Sequence, residues 1–143
     1  MIRFSFSFDE ISQELITEST AFYRLDGPLR LDSSMGTVFE EEGVPLVGLA
    51  VWLFHWMVSN KAARSFLPDG YDEDYGPMLH LAPVDGNQYC LSYNYGVTTS
   101  NLTATSNEWE VAFNQFLEDL RQAVKEKYNL QLDAVLHRFR SIQ

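Results

Sequence analysis

Apolar and polar residues alternate from the start of the chain. Ile2, Phe4, Phe6 and Phe8 are separated by Arg3, Ser5 and Ser7, the period-two signature of a strand with one buried face. Two further strand-like runs, Phe22-Tyr23-Arg24-Leu25 and Leu29-Arg30-Leu31, flank Asp26-Gly27-Pro28, which reads as a turn inside a meander. Thr37-Val38-Phe39 predicts another strand, ended by Gly43. The period is then lost, because Pro45 to Val58 is almost continuously apolar. As a helix this stretch spans about 21 Å, short of the ~30 Å hydrocarbon layer of a bilayer, so it reads as a buried core helix. Pro45 suits its first turn, and Glu40, Glu41 and Glu42 lie just upstream, near the positive end of its dipole. Lys61 to Leu67 is expected to continue helically as far as Pro68.

Met78-Leu79-His80-Leu81 and Gln88-Tyr89-Cys90-Leu91-Ser92-Tyr93 bracket Asp85-Gly86, a strong hairpin signal. With Asp85 and Gly86 as the central residues, Val84 pairs with Asn87, Leu81 with Cys90 and His80 with Leu91. His80 and Cys90 then point to opposite faces, which disfavours a Cys–His dyad. From Trp109 the apolar residues Ala112, Phe113, Phe116, Leu117, Leu120 and Val124 recur at helical spacing, with Glu110, Asn114, Glu118, Arg121 and Lys125 opposite. Thr105 with Glu108, or Asn107 with Glu110, has capping-box spacing, and Asn129 is a natural stop. Leu132 to Phe139 predicts a last short helix. The fold class that follows is α+β: an antiparallel sheet of about five to six strands packed by the central apolar helix and the C-terminal amphipathic helix, in one domain over residues 1–143.

Charge sharpens this picture. The chain has 20 Asp and Glu against 10 Lys and Arg, and the excess lies in residues 1–110, with 16 acids and 5 bases. Such a surface repels phosphate backbones and anionic lipid and attracts basic proteins, so neither direct nucleic-acid binding nor membrane binding is expected. The most concentrated segment is Asp69-Gly70-Tyr71-Asp72-Glu73-Asp74-Tyr75. Its carboxylates need water or a cation, and Tyr71 and Tyr75 supply contact area with a hydroxyl at low entropic cost. One cysteine, Cys90, excludes an intramolecular disulfide and fits a reducing, cytoplasmic setting.

Compact signatures of chemistry are missing: no Gly-rich phosphate loop, Gly-x-Ser-x-Gly elbow, His-Glu-x-x-His or paired cysteines. The acids of 69–74 lack EF-hand spacing, since the sixth position is Asp74 and the twelfth His80. His55 reads as a satisfied imidazole inside the apolar helix, and His80 and His137 have no companion at metal-ligand spacing. No catalytic residue, cofactor or metal is therefore assigned.

The order of elements, with Glu40-Glu41-Glu42-Gly43-Val44-Pro45-Leu46-Val47-Gly48-Leu49-Ala50-Val51-Trp52-Leu53, then the hairpin, then Phe116-Leu117-Glu118-Asp119-Leu120, resembles the small acidic immunity proteins of bacterial polymorphic-toxin and contact-dependent growth inhibition systems. The resemblance implies a cytoplasmic protein, monomeric or weakly oligomeric, that neutralises a cognate toxin domain, often a nuclease. Nuclease clefts are basic, so an acidic protein can occlude one. The contact patch on this reading is Asp69, Tyr71, Asp72, Glu73, Asp74 and Tyr75, with Glu40, Glu41 and Glu42 as a second. Two other classes stay open: a small-molecule-binding or enzymatic domain with a pocket lined by Trp52, His55, Trp56, Tyr89 and Tyr93, and a homo-oligomeric adaptor using the helix from Trp109 to Tyr128.

Overall fold

The computed structural model describes residues 1–68, 76–95 and 98–139. Among the described residues, seven strands form two antiparallel sheets rather than one. β1 (Ile2–Phe6), β2 (Asp26–Ser33) and β3 (Gly36–Pro45) form the first in that order, and β4 (Arg64–Phe66), β5 (Leu79–Asp85), β6 (Gln88–Tyr95) and β7 (Thr98–Thr105) form the second. The helices are α1 (Ala21–Arg24), α2 (Leu46–Val58), α3 (Ser106–Tyr128) and α4 (Leu132–Phe139), with a single 3₁₀ turn at Gln13–Leu15. The architecture is α+β, as the patterning predicts. None of the described helices is long and apolar enough to cross a membrane.

The opening alternation does form a strand. Phe4 and Phe6 face inward, opposite Leu31 and Leu29 on β2, and their rings meet Phe116 of α3 at 5.8 and 5.5 Å. Asp26-Gly27-Pro28, however, is not a turn. It opens β2, and the preceding Phe22-Tyr23-Arg24 is a helical turn, not a strand. Glycine is required at 27 because the chain after β1 crosses directly over it: a Cβ there would stand 1.8 Å from the Ser7 carbonyl oxygen. The Asp9 amide donates to the Asp26 carbonyl at 2.9 Å across the same crossing.

β3 runs through Gly43 (φ 66°) directly into α2, with Pro45 at the N-cap rather than within the first turn. The Leu46 amide donates to the Leu25 carbonyl at 3.0 Å, tying the helix start to the end of α1. α2 is the centre of the core, with Trp56 wholly buried and edge-on to Tyr89 of β6 and Phe113 of α3. It ends at Val58. Lys61 adopts φ 58° and residues 64–66 form β4, so the helix does not continue to Leu67.

The hairpin lies where expected but one residue out of register. Asp85 pairs with Gln88, leaving Gly86 and Asn87 as the central residues, and Gly86 carries the positive φ (55°) that a turn with glycine in its first central position needs. A bulge between Pro83 and Asp85 then sets Ala82 opposite Cys90, Leu81 opposite Leu91 and His80 opposite Ser92. His80 and Cys90 consequently share a face, reversing the expectation from the Asp85-Gly86 frame.

α3 follows its sequence signals closely. The Thr105 hydroxyl accepts from the Glu108 amide at 3.1 Å, the Glu108 carboxylate accepts from the Thr105 amide at 3.0 Å, and Asn129 closes the helix in the left-handed region at φ 54°. Its apolar stripe, Trp109 through Val124, is buried within this chain's own core. Where the two sheets meet, the Phe39 ring of β3 stacks on Tyr93 of β6, centroids 4.4 Å apart and planes 5° off parallel.

Candidate functional site

Asp69, Tyr71, Asp72, Glu73, Asp74 and Tyr75 lie outside the described residues. The second predicted patch is described in full. Glu40, Glu41 and Glu42 lie within β3, not on a rim beyond it, so the period of two divides them. Glu40 sits opposite Arg30 on the outer face of the first sheet, and its carboxylate pairs with the guanidinium at 3.3 Å. The Arg30 Nε also reaches both Asp32 oxygens, at 2.9 and 3.0 Å, and the Thr37 hydroxyl donates to Asp32 at 2.9 Å. These bonds hold the Asp32 carboxyl below its ordinary range, with the Arg30 hydrogen bond the largest cause. Around Glu40 and Glu42, an open groove of about 430 Å³ runs along Ser5, Ser7 and Arg30. Two carboxylates, those of Asp32 and Glu40, thus share one guanidinium, and Glu42 lies nearby along the groove.

Glu41 points the other way, beside Phe39 and toward the second sheet. It is half-buried and accepts from the Tyr93 hydroxyl at 3.2 Å. Burial raises its pKa, and the Tyr93 hydrogen bond and the Glu42 amide oppose that rise. Its role is to satisfy the seam between the sheets, and it is the least available of the three to a partner.

The five aromatic residues expected to line one pocket do not converge. Trp56 is sealed in the core, Tyr93 stacks on Phe39, and Tyr89 accepts the Trp109 indole N–H on its backbone carbonyl at 3.0 Å. His55 is only partly buried, edge-on to Phe54 at 6.2 Å. Trp52 alone borders a cleft, of about 370 Å³, between α1, the start of α2 and β4. Its other walls come from Phe22, Tyr23, Asp26 and Phe66, residues that no sequence spacing groups together.

On the outer face of the second sheet, His80 Nδ1 lies 2.7 Å from the Ser65 hydroxyl, and Cys90 Sγ lies 3.9 Å from the hydroxyl of Ser92, two residues along the same strand. Among the described residues no carboxylate hydrogen-bonds the His80 ring to orient it, the third element that an activated Ser–His pair needs. No group of three or more His, Cys, Asp or Glu among the described residues is arranged to hold a metal ion.

The fold and its surface define a two-sheet α+β domain with an acidic outer sheet and a separate aromatic cleft. The chain belongs to the family of the domain of unknown function DUF7878, whose model matches residues 4–126. Comparison with curated proteins and with solved structures gives no match. The matched span takes in both sheets apart from the first two residues of β1, and α3 as far as Glu126.

Proposed function

We propose that this domain acts by binding a basic protein partner through the outer face of its first sheet, as an immunity protein that occludes a cognate, nuclease-type toxin domain. The observation that supports the reading is the charge of that face: Glu40 and Glu42 line an open groove, and Arg30 pairs with Glu40 and Asp32. A strand surface on which carboxylates outnumber guanidinium groups attracts a basic cleft and accelerates encounter with it. The acids at Asp72, Glu73 and Asp74 add to the net negative charge of the chain.

The test starts with recovery of a basic partner from the native lysate at low salt, followed by association kinetics against that purified partner. The on-rate should fall as ionic strength rises, and Glu40→Gln with Glu42→Gln should lower it severalfold and flatten its salt dependence. Asp72→Ala, Glu73→Ala and Asp74→Ala together are the parallel test of the second segment. If neither set changes the on-rate, the acidic surface is not the contact. Neutralisation is then read by co-expression, where the protein should relieve the partner's toxicity.

A further inference from the structure

The cleft beside Trp52 lies apart from the acidic groove and has a different chemical character. Its walls are two aromatic pairs. Trp52 of α2 and Phe66 of β4 have centroids 5.6 Å apart, and Phe22 and Tyr23 of α1 meet edge-on at 5.0 Å. Gly48, one turn before Trp52, contributes no side chain and leaves room at this wall, where Pro45 and Phe22 would be 3.7 and 3.9 Å from an added methyl. Trp52 is 7% exposed, and its indole N–H is buried with no acceptor among the described residues.

One charged group in this lining has no counterion among the described residues. Asp26 is partly buried at the start of β2, and its carboxylate makes no hydrogen bond or ion pair among the described residues. The charge acting on it is that of Asp9, of the same sign, and burial and Asp9 together raise its pKa. Arg64 lines the β4 side but is engaged in a contact of its own. A partly desolvated carboxylate beside a like-charged neighbour favours a cation, and aromatic walls favour that cation when it carries an apolar body.

We propose that the cleft formed by Phe22, Tyr23, Asp26, Trp52 and Phe66 is a binding site for a small organic cation, an ammonium group on an aromatic or aliphatic body. The ammonium sits at Asp26 and the body lies between the two aromatic pairs. The volume of about 370 Å³ is at the lower end of ordinary small-molecule sites and accommodates one ring with a short side chain. The site is independent of the acidic sheet, so either proposal can fail alone.

Three probes of nearly equal shape test it on the full chain: phenethylammonium, the neutral phenethyl alcohol and the anionic 3-phenylpropionate. Titration is followed by amide and indole N–H resonances in heteronuclear NMR. The ammonium should bind at least tenfold more tightly than the alcohol, moving the Trp52 indole resonance and the amides of α1 and β4. Asp26→Asn should erase the preference for the ammonium over the alcohol while leaving alcohol binding in place. That substitution removes a like-charge contact with Asp9 and no hydrogen bond, so the fold is expected to persist. Tyr23→Ala, at a residue 62% exposed, should weaken all three probes without unfolding the domain. Equal binding of ammonium and alcohol, preference for the anion, or an Asp26→Asn variant that keeps the ammonium preference would each overturn the proposal.

Discussion

Replacing Gly27 with alanine tests the least obvious feature of the fold, the passage of residues 7–9 over β2. A Cβ at 27 would stand 1.8 Å from the Ser7 carbonyl oxygen, 2.9 Å from its carbon and 3.2 Å from Phe8 Cα. All three are backbone atoms, so the crossing segment must lift as a unit. Lifting it breaks the Asp9 amide to Asp26 carbonyl bond at 2.9 Å and the longer Ser7 to Pro28 bond at 3.4 Å, about 0.5–1.5 kcal/mol each. It also disturbs the edge contact of Phe8 with Tyr128 at 5.6 Å, a further ~0.5–1.5 kcal/mol. Against this, alanine reduces the entropy of the unfolded chain, worth about 0.4–1 kcal/mol. The net expectation is a loss of about 0.5–4 kcal/mol, midpoint about 2, which for a chain of this size lowers Tm by roughly 2–13 °C. Urea and thermal denaturation measure it. Gly48→Ala is the matched control with the opposite sign. Its methyl meets neighbours only at 3.7 Å and beyond, and the gain in helix propensity should raise stability by about 0.5–1 kcal/mol. A Gly27→Ala protein as stable as the wild type would refute the crossing, and an equal loss in both variants would show that close approach is not what distinguishes the two glycines.

Other consequences can be measured on the same preparations. Thr105→Ala removes the hydroxyl that accepts from the Glu108 amide and should cost about 1 kcal/mol, whereas Thr105→Ser should stay near wild type; a pair of equal midpoints would contradict the cap. Burial sets the Glu41 pKa above its ordinary value, partly offset by the Tyr93 hydroxyl. The unfolded chain therefore releases this proton first, and the stability the group contributes at low pH is lost as pH rises from about 4 through the higher folded value. Glu41→Gln should accordingly gain in Tm relative to wild type between pH 3 and pH 7, and a difference constant with pH would argue against it. Tyr93→Phe withdraws the hydroxyl and should raise the Glu41 pKa further, seen as a later side-chain carboxyl titration by NMR. An unmoved titration would mean that the hydroxyl does not hold the carboxylate.

The elements legible in the chain are those whose determinants sit within a few residues of one another. The period of two from Ile2 to Phe6, the apolar run of α2, and the Thr105–Glu108 cap with Asn129 as stop are all local, and each survives in the fold because the tertiary structure has no reason to oppose it. Errors arise where one local signal admits two geometries. Asp85-Gly86-Asn87 supports either of two turn frames, and it is the bulge between Pro83 and Asp85, invisible in the local pattern, that brings His80 and Cys90 to the same face. Glycine at 27 marks a close approach as readily as a turn, and only the path of residues 7–9 distinguishes them. β4, three residues long, is stabilised by pairing with β5 rather than by its own pattern.

Charge and the exposed acids of β3 were likewise readable, since a carboxylate seeks water wherever the chain goes. Which of Glu40, Glu41 and Glu42 reaches it was not, because that depends on the face each occupies once β3 lies between β2 and the second sheet. The aromatic cleft was least legible of all. Trp52 was a candidate, but Phe22, Asp26 and Phe66 join it only after α1, β2 and β4 close around the start of α2. Periodicity and capping act between residues three or four apart and so are written in the chain. A cleft is assembled by contacts across tens of residues, and its membership is set by how the apolar faces of separate elements pack.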